Sequence, residues 1–325
     1  MAARVPVRLT VRVRPFAERD YAGFLRIRRV AEGELVSVEE ARAGDQRWDH
    51  SRYERVRVVA VDEEDAPVGY GEIAHEPSRF APRRYFLRLG VDGPLRRRGI
   101  GATIWDRLRV ALDERAPLVA CLWVRDGTAC QAFIAKRGFV EVIRAYEQVL
   151  ALAPARIPLP AARERIAASG VRVRTLAALR ASHGEPALHD AHELHTACRR
   201  DQPTLGAVTP APYADWLAYN VSAPEALLDA YFVACDGERL VGCSSARRES
   251  EDQLRIGVTG VLPEYRRRGI GRLLKLHVHE WARANGYREI HTSATGPNVG
   301  MLALNESLGY VIVGSWGGYE LAFAS

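Results

Sequence analysis

The chain of 325 residues is too long for one average domain and suits two, each large enough to bury most of the surface its unfolded form exposes. With 47% hydrophobic and 26% charged residues it reads as globular, which excludes the disordered and fibrous classes. The net charge of +6 invites nucleic acid as a partner, but only Lys136 and Lys275 are lysine and the arginines are spread over the whole chain, as GC-rich codon usage alone produces.

Arg4, Arg8, Arg12 and Arg14 interrupt the first fifteen residues, so no apolar segment stands there to serve as a secretory signal. No apolar run approaches the ~20 residues of a membrane helix. The expectation is a cytoplasmic protein with no membrane or nucleic-acid partner. The cysteines (Cys121, Cys130, Cys198, Cys235, Cys243) are odd in number and lack a C-x-x-C pair. They are expected to be buried small hydrophobes, and no metal site is expected.

In chain order, the alternating Val-Arg run at residues 11–14 predicts a strand, followed by a helical region. Residues 57–61, 68–73 and 85–91 predict three more strands, and 100–112 a helix closed before Pro117. Pro154, Pro158 and Pro160 sit among small residues and suit an extended, semi-rigid linker. That places domains at 1–153 and 169–325, with the linker at 154–168. A second Val-Arg run at 171–174 then restarts the pattern. Residues 231–235 and 240–246 predict a hairpin about Asp236-Gly237. A strand at 254–261 follows, then a helix carrying Ile270, Leu273, Leu274, Val278 and Trp281 and stopped by Asn285-Gly286. A strand at 288–293 and a short helix at 301–308, ended by Gly309, complete the order.

The order repeats because the sequence does. Arg96-Arg97-Arg98-Gly99-Ile100-Gly101 recurs 170 residues on (266 less 96) as Arg266-Arg267-Arg268-Gly269-Ile270-Gly271. Gly138-Phe139 is echoed by Gly309-Tyr310 in nearly the same register, 171 residues on. Each triplet follows a strand and opens an amphipathic helix. Free N–H groups at a helix N-terminus form an anion site, glycines let the backbone approach, and arginines add charge-assisted hydrogen bonds. Such a cradle suits the pyrophosphate of a bulky nucleotide carrier. A Walker loop is excluded because Arg272 follows Gly271, and the dinucleotide fingerprint fails at Leu274 and Ile104.

Val261-Leu262-Pro263-Glu264-Tyr265-Arg266-Arg267-Arg268-Gly269-Ile270-Gly271 resembles the V-x-P-x-x-R-x-x-G-x-G motif of the GNAT superfamily of acetyl-CoA-dependent N-acetyltransferases. Asn298, Asn305 and Leu308-Gly309-Tyr310 resemble that family's second cofactor segment. The pairing of two copies is similar to the tandem architecture of mycothiol synthase and its relatives. The resemblance implies two α/β (α+β) domains, each a mixed, mostly antiparallel sheet flanked by helices. It further implies acetyl-CoA as cofactor and CoA as product. The backbone of Val261 would meet the thioester and the pantetheine arm; Arg266, Arg267, Arg268, Gly269, Ile270, Gly271 and Arg272 would cradle the pyrophosphate. Asn298 and Asn305 would line the pantetheine and the thioester sulfur, with Asn305 the candidate catalytic residue.

The two copies are not equivalent. The first keeps a cradle of the same kind (Val91, Arg96, Arg97, Arg98, Gly99, Ile100, Gly101), but Gly127 and Ile134 stand where the second has Asn298 and Asn305. It is expected to be a structural or vestigial partner. Many family members carry a tyrosine at the position of Asn305, and asparagine does not readily release a proton. No base stands out; His291, Glu193 and Tyr265 are candidates, as is water. His189, His192 and His195 recur every three residues, but Thr196 breaks the H-E-x-x-H zinc pattern, which leaves a polar helix face lining the acceptor cleft. The expected function is transfer of an acetyl group to a primary amine of a small molecule through a ternary complex, by a monomer or homodimer. A catalytically silent CoA-binding module and a peptide or protein amine as acceptor are the alternatives.

Overall fold

A computed structural model describes residues 10–32, 36–127, 130–153, 159–167 and 170–323. The chain forms two compact units: Met1–Leu122 with Phe133–Val140 and Tyr319–Ser325, and Trp123–Ala132 with Glu141–Gly318. Each is a mostly antiparallel sheet flanked by helices.

The first unit runs β1 (Arg12–Pro15), α1 (Tyr21–Glu32), α2 (Val38–Gln46), β2 (Arg55–Val61), β3 (Pro67–Ala74), β4 (Arg84–Val91), α3 (Ile100–Asp113) and the start of β5 (Val119–Arg125), with the end of α4 (Cys130–Ala135). β1 to β4 pair antiparallel in sequence order, and β5 lies parallel to β4. Phe24, Leu25 and Ile27 of α1 bury against Val59, Val61 and Tyr70 of the sheet, while α3 packs on β2, β3 and β4.

The second unit holds β6 (Val140–Ala151) from residue 141 on, α5 (Leu159–Ala167), β7 (Val171–Thr175), α6 (Leu176–His183), α7 (Glu185–Arg200), α8 (Tyr213–Leu217) and β8 (Phe232–Asp236). It continues with β9 (Arg239–Arg248), β10 (Gln253–Val261), α9 (Ile270–Ala284), β11 (Glu289–Thr295), α10 (Val299–Ser307) and β12 (Val311–Ala322) as far as Gly318. Its strand order is β12-β6-β11-β10-β9-β8-β7. One face carries α9 over Phe232, Val241, Leu254 and Ile256; the other carries α6, α7 and α8 over Tyr231, Val233, Cys243 and Val258.

Two expectations are corrected. The division into 1–153 and 169–325 does not follow the packing, because β6, the last strand of the first repeat, pairs antiparallel with β11 from Ala145 to Ala151 and lies inside the second unit. The linker expected at 154–168 is not extended throughout. Leu159–Ala167 is helical, since its fully buried Leu159 joins the α9 core; residues 154–158 and 168 lie outside the described residues. No helix among the described residues is long and apolar enough to cross a membrane.

Candidate active site

The anion loop recurs in nearly the same shape in both units. Arg97 and Gly99 have φ of 66° and 88°; Arg267 and Gly269 have 64° and 85°. A left-handed arginine is strained by about 1 kcal/mol, and glycine takes that region without penalty. The alternation turns successive N–H groups to one side, a nest that binds anions. No side chain caps α3 or α9, so their first N–H groups stay available.

Within the triplets the arginines divide their work. Arg266 Nε donates to the Val261 carbonyl at 2.9 Å, and its other end pairs with Asp201 at the end of α7. Arg96 Nε reaches the Val91 carbonyl in the same way, at 3.1 Å. The first arginine of each triplet is thus a strut that ties the loop to the end of the strand. Arg268 donates to the Glu264 carbonyl at 2.7 Å and lies over the Tyr265 ring, and Arg272 reaches Ser307 of α10 at 2.8 Å. Arg267 is exposed and makes no hydrogen bond or ion pair among the described residues, so its guanidinium is open to an anion.

Beside the loop the sheet opens. β10 pairs with β11 only from Gln253 to Arg255, and β4 with β5 only from Arg84 to Phe86. Beyond those residues each parallel pair diverges. β10 carries a further irregularity that β4 lacks: its register with β9 shifts between Ile256 and Thr259, whereas β3 and β4 pair without a break. This β-bulge takes a backbone N–H out of the ladder. That N–H belongs to Val258 and donates to Ser245 Oγ at 3.0 Å, while Ser244 and Thr259 hydroxyls meet at 2.9 Å. Asp201 and Pro203 reach both arms of the opening: Asp201 pairs with Arg266 beyond β10, and the Pro203 carbonyl accepts from Thr295 Oγ1 of β11 at 3.0 Å.

Under the bulge lies a buried polar line that sequence reasoning missed. Cys198 of α7 packs so closely on Gly260 that a Cβ there would stand 2.4 Å from the Cys198 Cβ. The Cys243 thiol hydrogen-bonds Cys198 and holds its thiol below the ordinary range, an effect burial opposes and Arg266 supports; Cys243 is pushed up in turn. Tyr231, raised by burial, contacts Cys243 and meets His195 Nδ1 at 3.2 Å. Burial lowers His195 to about 3, so this ring is neutral.

The base candidates do not converge. His291 lies at the paired end of β10 and β11 between Glu249 and Glu289, Tyr265 donates to Asp236, and Glu193 is exposed. His189 and His192 flank Tyr213 on an accessible face, whereas His195 points into the core. Cys130 is exposed, against the expectation of burial, because it opens the short helix α4. No metal-binding group of His, Cys, Asp or Glu occurs among the described residues.

Asn298 caps α10, its Oδ1 accepting from the Met301 N–H at 3.3 Å. Asn305 is fully buried. Its Nδ2 donates to Gln148 Oε1 of β6 at 2.7 Å, and its Oδ1 has no partner. In the first repeat Ile134 stands at the matching place, buried and apolar. An uncapped helix start, a free guanidinium, a divergent strand pair and an orphaned buried acceptor together fit an elongated, phosphate-bearing carrier with polar groups along its arm.

A strand-to-helix anion loop beside a split parallel pair is the arrangement of an acyltransferase fold. The chain belongs to the GNAT acetyltransferase family and carries two of its domains. The acetyltransferase (GNAT) family profile matches residues 188–310, and an acetyltransferase (GNAT) domain profile matches 32–149. The fold is similar to a tandem GNAT protein from the clavulanic acid biosynthesis pathway (TM-score 0.71, 18% identity, 97% of this chain and 100% of that one). It is also similar to a GCN5-related N-acetyltransferase from Sphaerobacter thermophilus (TM-score 0.68, 17% identity, 98% and 96%). No curated protein matches it in sequence.

Proposed function

We propose that the second unit binds acetyl-CoA between β10 and β11 and transfers the acetyl group to a primary amine of a small molecule through a ternary complex. The observation that carries this reading is the bulge in β10, which joins an uncapped α9 and a divergent strand pair in one unit. β4 has the loop and the divergence without the bulge. The first repeat is then a structural or vestigial partner.

The residues have distinct tasks in this reading. The α9 N-terminus and Arg267 bind phosphate oxygens, while Arg266 holds the end of β10 to α7. The Val258 N–H stays with Ser245 Oγ, and in this reading the backbone N–H of Val261, beyond the bulge, meets the charge that develops on the carbonyl oxygen. Acetyl-CoA supplies an activated acyl carbon and a thiol leaving group, whose pKa near ~8.5 lets it depart without a strong acid. The acceptor amine loses its proton to solvent, since His291 and Tyr265 are engaged by acidic side chains. The exposed acids Asp190, Glu193 and Asp215 favour a cationic acceptor. Because the reaction draws on CoA, the compartment that suits it is the cytoplasm.

Calorimetric titration with acetyl-CoA tests this. One site, lost in Gly271→Glu and kept in Gly101→Glu, is expected; absence of binding in the wild type refutes the reading. A second reading, a catalytically silent CoA-binding module, draws on the Asn305 amide, which carries no readily released proton. Binding of acetyl-CoA with no turnover across a broad panel of amines would favour it.

A further inference from the structure

β6 belongs by sequence to the first repeat and by packing to the second unit. There it brings Gln148 opposite Thr292 of β11 and within 2.7 Å of Asn305 on α10. Both amides are buried, at 0% exposure for Asn305 and 2% for Gln148. With Nδ2 turned to Gln148 Oε1 the Asn305 donor is satisfied, and turning the Asn305 amide alone would set two carbonyl oxygens face to face. Oδ1 is therefore the polar atom of Asn305 left without a partner. An acceptor so placed calls for a donor. The neighbouring Leu304 side chain stands 3.8 Å from where a Cβ on Gly271 would be, so α10 passes the first turn of α9 beside the anion loop.

Resting on the reading above, we infer that Gln148 is a positioning residue. By holding Nδ2 of Asn305 it keeps Oδ1 as a hydrogen-bond acceptor for the secondary-amide N–H groups of the CoA arm. Two consequences separate this from packing. Gln148 acts on the arm and not on the phosphates, and its effect runs through Asn305. It also gives the first repeat a part in the second repeat's site even if its own cradle binds nothing. The first repeat offers no matching pair, because Ile134 replaces Asn305.

The experiment is calorimetry on the full chain with two ligands, acetyl-CoA and adenosine 3′,5′-bisphosphate, which lacks the arm. An unfolding midpoint is measured for each variant. Gln148→Leu leaves a buried donor unpaired and is expected to weaken acetyl-CoA about tenfold while leaving the bisphosphate unchanged. Gln148→Glu keeps an acceptor for Nδ2 and is expected to stay within about threefold of wild type. In an Asn305→Leu background, Gln148→Leu is expected to add nothing. Equal weakening of both ligands, an unchanged acetyl-CoA affinity, or additive effects would each overturn the role. If the wild type binds neither ligand, the acetyl-CoA reading itself falls and takes this role with it.

Discussion

Gly271 is the position where binding and folding separate most cleanly. It is the second residue of α9, and a Cβ built on it would lie 3.8 Å from Leu304 Cδ2 and from Val261 Cγ2, which is ordinary contact. A glutamate is therefore accommodated. Leaving glycine within a helix gains up to about 1 kcal/mol, and an acid in the first turn gains roughly 0.3–1 kcal/mol more. The unfolding midpoint of Gly271→Glu is expected to stay level or rise by a few degrees. Binding responds in the opposite sense. A carboxylate about 4 Å from a phosphate oxygen costs on the order of 4 kcal/mol near a protein surface, before salt screening. A loss of at least about a hundredfold in acetyl-CoA affinity follows. Calorimetry at two salt concentrations, paired with thermal unfolding, measures both. The matching Gly101→Glu, whose Cβ would stand 3.5 Å from Phe133, is expected to leave the affinity of the second site alone. A folded Gly271→Glu protein with unchanged affinity would refute the anion-loop argument, and an equal loss in Gly101→Glu would refute the asymmetry.

Other outcomes follow from single side chains. Lys275 is fully buried with no hydrogen-bond partner for Nζ, and burial lowers it from 10.5 to about 7. Between those values the unfolded chain holds a proton that the folded chain lacks. Wild-type stability therefore rises with pH across that window, by about 3 kcal/mol from pH 7 to 9.5, and is lost as pH falls toward 7. Lys275→Met should abolish that slope in urea unfolding and be the more stable protein at pH 7; parallel pH profiles would refute the assignment. Cys130 is exposed and the other four cysteines are buried, so a thiol reagent should label one residue in the native state and none in Cys130→Ser. Rapid labelling of a second thiol would contradict the packing of Cys198 on Gly260. Gly260→Ala forces a Cβ to 2.7 Å from Cys198 Sγ and should cost about 2 kcal/mol, partly recovered by Cys198→Gly. Additive behaviour of the two changes in denaturant unfolding would show that the contact is not the cause.

The parts of the site legible in the sequence are those that depend on neighbours in the chain. The Arg-Arg-Arg-Gly-Ile-Gly loops announce themselves because glycine spacing and a following amphipathic run specify a strand, a tight turn and a helix within a few residues. Elsewhere, local pattern misleads for reasons that can be named. His189, His192 and His195 look like one helix face, yet residues three apart drift by about 60° per step, so the third has rotated into the core, where it meets Tyr231. Arg266 reads as a phosphate ligand from its place in the motif, but its destination depends on Asp201, which lies 65 residues away and comes near only through packing. The bulge had a signal: Gly257 and Gly260 interrupt an otherwise β-rich run, and glycine inside a strand often marks a bulge or a close approach.

The place of β6 had no such signal, because a strand's own alternation specifies which face is buried and not which neighbour it joins. That gap explains the asymmetry between the repeats better than residue differences do. The anion loop is encoded by six consecutive residues and so persists in both copies. The bulge depends on how β10 pairs with Ser244 and Ser245 of β9, and the orientation of Asn305 depends on Gln148 from another repeat. Features assembled from distant segments are the ones a duplicated copy loses first, since one substitution on either side removes them. The first repeat, with Ile134 in place of an amide and an unbroken β3–β4 ladder, keeps the locally encoded feature and lacks both assembled ones.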